Sequence, residues 1–234
     1  MPQQGPLQWL DGEGWLVALG GGDVPRGEAD AVITYLLSVI NLDRPMVVLF
    51  ADGPRSDAEA VLDQFTALGG PVGEAFSLPA MTRDTFFAAG FLELLAEAGL
   101  LYLGGENPLP LLLNLHGTPA LERIQESFTS LQGLTLLGAG GAAPVLGRFA
   151  IGPAPDYLQA RGLNFFQNTV IEPHFTRTED SIVLRNLNQL GPGLLGLGIP
   201  DATALAFGPQ GQVETWGAGQ ITAVVSTAKV ADEE

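Results

Sequence analysis

The sequence predicts an α/β fold with a mainly parallel sheet and helices on both faces. Three features lead there. Over the first two thirds of the chain, short apolar runs alternate with longer amphipathic stretches, the pattern of strands joined by crossover helices. Several apolar runs end in glycine turns: "GGGD" (20–23), "GGEN" (104–107) and "GAGG" (138–141). After residue 165 the texture changes to short strand-like pieces separated by glycine. That suits an antiparallel edge or a small extension of the same sheet.

The elements follow in chain order. "GWLVALGGG" reads as a buried strand, and "GEADAVITYLLSVINL" as the helix after it. "MVVLF" (46–50) is a second strand, and "DAEAVLDQFTALGG" a helix closed by glycine. "VGEAFSL" is a third strand, and "TRDTFFAAGFLELLAEAG" one helix with a Thr cap. "LLYLGG" (100–105) is a strand entering a glycine turn. "LPLLLNL" (109–115) is either a buried helix or an exposed apolar patch. "TPALERIQESFTSL" is a helix with Thr118 as cap and Pro119 at its first position. The apolar run from Leu134 to Leu137 enters a small-residue turn, Gly138 to Gly141, and Ala142 to Gly147 reads as the opening of a helix. "FGPQGQVET" reads as a hairpin. No linker, repeat or low-complexity tract divides the chain, so residues 1–234 are expected to form one domain, with 229–234 a frayed tail.

Composition narrows the function classes. Ten Lys and Arg face 26 Asp and Glu, for a net charge of −16. Such a surface repels phosphate backbones and argues against nucleic acid as a partner. There is no Cys, which removes thiolate metal sites and a cysteine nucleophile. The chain is 46% hydrophobic, but its apolar runs stop short of the roughly 18 residues that a membrane span needs. "MPQQGPLQWLDGEG" has no basic segment followed by an apolar core, so a cytoplasmic protein is expected. No cofactor or metal motif is present: "GGGD" is not a full dinucleotide fingerprint, and no phosphate-loop Lys-Ser/Thr pair occurs.

Ligands of open parallel sheets sit at the carboxyl ends of the strands, where the three glycine turns fall. The 135–147 stretch has the strand–turn–helix shape of a nucleophile elbow, yet it holds no Ser, Thr or Cys after Thr135. Of the two histidines, His116 lies in a loop and suits a local hydrogen bond, while His174 follows an apolar strand where a base can be presented. Asp201 lies in a turn between two strand-like runs. Elbow, His and acid occur in the order of nucleophile, base and orienting acid.

These residues resemble the cyanophycinase and dipeptidase E group of serine peptidases over most of the chain. "LVALGGG" resembles the group's opening strand and turn, "LLYLGGEN" its glycine loop, and "GAGGAA" its elbow, usually Gly-Thr-Ser-Ala-Gly-Ala. "VIEPHF" resembles its histidine motif and "GIPDATAL" its acid motif. The resemblance implies a three-layer α/β/α fold similar to class I glutamine amidotransferase domains and flavodoxin. It implies His174 as base, Asp201 as orienting acid, and Gly105, Glu106 and Gly141 beside the oxyanion site. Asn107 stands for the glycine loop's usual Gln, Pro173 for the Gln before His, and Pro200 for an acid; Arg177 and Arg185 stand near the group's arginines. Active members cleave Asp-containing dipeptides or β-Asp-Arg units without a cofactor.

The departure is at the elbow. The alignment puts Gly140 at the nucleophile position, and glycine has nothing to attack with. It does adopt the elbow's strained backbone freely. Three expectations follow. The first is a non-catalytic homologue that binds a small carboxylate-bearing peptide or metabolite. The second is an active hydrolase of Asp-containing or β-aspartyl peptides, in which His174 and Asp201 activate a water. The third is a structural or assembly protein, with a homodimer as its simplest form.

Overall fold

The computed structural model describes residues 6–151 and 159–228; the tail at 229–234 lies outside them. Seven strands form the main sheet, in the order β11-β10-β1-β5-β4-β2-β3. They are β1 (Leu16–Leu19), β2 (Met46–Phe50), β3 (Gly73–Ser77), β4 (Leu100–Gly104), β5 (Thr135–Ala139), β10 (Thr203–Phe207) and β11 (Val213–Gly217). The first five pair in parallel. β10 and β11 are added antiparallel beside β1, joined by the expected hairpin.

Strands buried on both faces read as continuous apolar runs, and the period of two divides each run between two cores. Leu16, Ala18, Val47 and Leu49 enter one core, with α3 (Ala89–Glu97), α4 (Leu109–Leu115) and α5 (Pro119–Thr129). Val17, Leu19, Met46 and Val48 enter the other, with α1 (Asp30–Val39) and α2 (Arg55–Ala67). Helices therefore cover both faces, as the alternation predicted.

Several local expectations change. The stretch 82–99 is not one capped helix. A 3₁₀ turn, Arg83–Phe87, is separated from α3 by Ala88 in extended backbone, and the Thr82 side chain caps nothing. Phe86 and Phe91 are both buried and meet edge to face at 5.5 Å. Five positions on a continuous helix would turn them about 140° apart, so the break lets both face one core. Thr118 donates to the Leu115 carbonyl instead of capping α5. In α4, Leu111, Leu112 and Leu115 are buried, and Leu113 is left outward.

The last third is more than an edge of the main sheet. β6 (Phe149–Ile151), β7 (Gln159–Arg161), β8 (Thr169–Glu172), β9 (Leu195–Gly198) and β12 (Thr222–Val225) form a second sheet, ordered β12-β9-β8-β6-β7. β8 and β9 pair in parallel across α6 (Ile182–Leu190), so part of this region repeats the crossover logic of the first half. Ile171, Leu195 and Leu197 join the core that holds β1 and β5. The second sheet thus packs onto the first and carries the chain from β8 back to β1.

No helix among the described residues is long and apolar enough to cross a membrane.

Candidate active site

The site is built at the carboxyl ends of β1, β2, β4 and β5. β5 runs to Ala139, two residues into the expected turn, and the segment after it is a 3₁₀ helix, Gly140–Leu146, rather than an α-helix. Pro144 lies inside this segment and has no N–H to give to the carbonyl four residues back, so it interrupts a regular α-helical ladder. Gly140 sits at the corner with φ +53, in the left-handed region that costs an ordinary L-residue about 1–2 kcal/mol.

His174 is brought to this corner from the loop after β8. Its backbone N–H donates to the Gly20 carbonyl at 2.7 Å, and its φ is +52. Asp201 arrives from the turn between β9 and β10. The next residue, Ala202, has φ +51 and donates its N–H to the Gly21 carbonyl at 2.9 Å. Both loops are thus stitched to the glycine turn after β1. His174 Nδ1 lies 2.7 Å from Asp201 Oδ1. A carboxylate only accepts, so Nδ1 carries the proton, and in the neutral ring Nε2 presents a lone pair. That nitrogen faces Gly140: a Cβ at position 140 would stand 3.4 Å from it.

Gly21 holds the pair from behind. A Cβ there would stand 2.3 Å from Asp201 Oδ1 and 2.4 Å from His174 Nδ1, and its φ is +144. No other residue fits. The "GGGD" turn was visible in the sequence, but its contact with the pair was not.

A cleft of about 800 Å³ opens over these residues. Gly105, Glu106, Gly140, His174 and Asp201 line it; Asn107, Gly141 and Arg177 do not. Asn107 turns its side chain onto the Leu109 N–H at 3.1 Å. Gly141 is pressed on the Glu106 backbone, where a Cβ would meet the carbonyl oxygen at 2.2 Å. Arg177 pairs with Asp180, and Arg185 donates to the Ser181 carbonyl at 2.7 Å. Thr203 donates to the Asp201 carbonyl at 3.2 Å and stays out of the cleft lining. His116 does not make the local contact expected of it: its Nε2 lies 2.8 Å from the carbonyl of Arg161, 45 residues further along the chain.

Asp52 was not anticipated. Its two carboxylate oxygens accept the N–H groups of Glu106 and Asn107 at 3.0 and 3.1 Å. They hold the glycine loop in place and use an N–H that the sequence resemblance offered to an oxyanion. The signal was its position, just past β2 on the same sheet edge.

No protein-family model matches the chain, and no curated protein matches it by sequence. Solved structures do match. A peptidase from an acI-B1 Actinobacterium superposes with a TM-score of 0.65 at 20% identity, over 94% of this chain and 98% of that one. "A Putative Peptidase E Protein" from Listeria monocytogenes EGD-e superposes with a TM-score of 0.60 at 16% identity, over 88% and 99%. At these identities the likeness is one of architecture: the chain has the α/β fold of these peptidases, with a mostly parallel central sheet.

Proposed function

We propose that the chain is a non-catalytic relative of serine peptidases, and that it binds a small peptide or metabolite in the His174 cleft. The observation that carries this reading is Gly140. An acyl-enzyme needs a side-chain oxygen or sulfur within reach of the base, and position 140, which faces Nε2, has no side chain. No described residue lining the cleft is Ser or Thr, and the chain has no Cys. A carboxylate on the ligand would have to be met by backbone N–H groups, because no Lys or Arg lines the cleft among the described residues.

A second reading has its own support. The His174–Asp201 bond is intact, and His174 stays in a costly backbone conformation. A water in the space beside Gly140 would lie where His174 could take its proton. Of the 109–115 leucines only Leu113 faces outward strongly, at 71% exposure, so that segment offers an assembly partner little apolar surface.

The test is hydrolysis of a panel of Asp-X and β-Asp-X peptides by the wild type, with His174→Ala as control, alongside calorimetric binding of the same peptides. Binding without turnover is expected. Turnover that disappears in His174→Ala would replace the first reading with the second.

A further inference from the structure

We propose that the open half of the second sheet, the face of β6 and β7 beside α6, docks an acidic amphipathic helix of a partner protein. Arg148, Phe149, Ile151 and Arg161 make this face. None of them lines the His174 cleft, so the proposal goes beyond the function of that site.

The layering of the second sheet comes first. Ala150, Ala160, Ile171 and Leu197 point into the core shared with the main sheet. The opposite face has a small core of its own, built on Val170, Val183, Leu184 and Leu187. Phe149 and Ile151 lie at its margin and are only half-buried. α6 packs on β8 and β9. The fit is close, since a Cβ at Gly196 on β9 would stand 2.5 Å from Leu184 Cδ2. Neighbouring strands lie about 4.8 Å apart, and a helix with its side chains is about 10 Å wide. One helix therefore covers roughly two strands. In the order β12-β9-β8-β6-β7, β6 and β7 continue the same face beyond α6. The space there suits one more helix, lying alongside α6 with Phe149 and Ile151 beneath it.

Charge is the second and independent observation. Phe149 pairs with Arg161 across β6 and β7, and cross-strand partners share a face. The Arg148 guanidinium lies over the Phe149 ring, 5.4 Å from its centre. Two exposed arginines thus flank one half-buried ring. Neither has an ion pair among the described residues. Glu172 is the one carboxylate in the five strands of this sheet, and it accepts from the Ser181 hydroxyl. α6 carries no acid. In a chain with 26 Asp and Glu against ten Lys and Arg, this face keeps its positive charge uncompensated.

That charge names the occupant. A helix seated here needs an apolar stripe for Phe149 and Ile151, flanked by carboxylates for Arg148 and Arg161. A second copy of the chain fits poorly, because two such faces meeting across a two-fold axis would set arginine against arginine. A nucleic acid fits poorly too, since the rest of the molecule, at a net −16, repels a phosphate backbone.

The test is NMR titration of the isotope-labelled protein with a synthetic amphipathic helix of Glu, Leu and Ala, about 14 residues long, with its Lys-for-Glu counterpart as control. The Glu helix is expected to shift the amides of Phe149, Ile151, Arg161 and α6, and to bind more weakly as salt rises. Arg148→Glu and Arg161→Glu should each weaken it by about three- to tenfold. Both side chains are exposed, and unchanged melting temperatures will verify folding. Equal binding of the Lys helix, indifference to both variants, or shifts confined to another surface would overturn the proposal. So would no binding of the Glu helix. If a chain ending at Ala228 bound the Glu helix at least about tenfold tighter, the occupant would be the acidic tail, residues 229–234, in place of a partner. Self-association in sedimentation that Arg161→Glu abolishes would make the occupant a second copy.

Discussion

Nε2 of His174 looks onto Gly140 with room for one side chain between them: a Cβ at position 140 would stand 3.4 Å from that nitrogen, an ordinary contact. The geometry around the base is thus complete for a hydroxyl that the chain does not have. Replacing Gly140 by Ser should place Oγ within hydrogen-bonding reach of Nε2. An organophosphonate serine probe should then label Gly140→Ser at least about 100-fold faster than the wild type, the usual scale of general-base assistance. Equal labelling would show that His174 cannot activate a group at this position.

The same substitution should lower stability. At φ +53 a serine is less comfortable than glycine by about 1 kcal/mol. Urea denaturation should show the midpoint fall with an unchanged slope. A rise in the midpoint would mean that a new Oγ–Nε2 bond outweighs backbone strain.

Gly21 should be intolerant of any side chain. The closest approaches to its Cβ position are 2.3 Å, from Asp201 Oδ1 and His174 Cε1, well inside van der Waals contact, so Gly21→Ala must push His174 and Asp201 apart. Overpacking of this kind costs about 1–3 kcal/mol. The direct readout is the downfield Nδ1–H proton of His174 by NMR, expected in the wild type and absent in Gly21→Ala. Its persistence would mean that the turn after β1 moves instead of the pair.

Asp52→Asn tests what holds the glycine loop. The amide retains one acceptor where the carboxylate had two, so either the Glu106 or the Asn107 N–H loses its partner. That should cost about 1–2 kcal/mol and raise hydrogen exchange at those two amides specifically. Unchanged exchange would show that the loop is held by its packing against Gly141 rather than by Asp52.

What was legible in the sequence follows from which interactions leave a pattern. β1 and β2 are buried on both faces, so "LVAL" and "MVVLF" announce a parallel sheet with helices above and below. The second sheet was hidden because β6 and β7 have three residues each, too few to show a period. The pairing of β8 with β9 depends on a crossover that apolarity does not record. The split at Ala88 was hidden because each half of 82–99 is compatible with a helix, and only the shared burial of Phe86 and Phe91 separates them. At the site, His174, Asp201 and Gly140 stood out through motif order. Asp52 did not, because a carboxylate after a strand is unremarkable until the fold sets it against the glycine loop.

Ala202 offers a test in the stabilising direction. It sits at φ +51 with its N–H bonded to the Gly21 carbonyl at 2.9 Å. An alanine there carries left-handed strain of about 1–2 kcal/mol that glycine would not. Glycine also makes the unfolded chain more flexible, which returns about 0.4–1 kcal/mol. The strain is the larger effect, so Ala202→Gly should be stabilised by about 0.5–1 kcal/mol. For a chain of this size that is a rise of roughly 1–4 °C in Tm. The hydrogen bond uses backbone atoms only, so His174 should keep its contact with Asp201, and the Nδ1–H resonance should stay. A lower Tm would show that the turn between β9 and β10 depends on the stiffness of alanine, and that its left-handed conformation is not a site of stored strain.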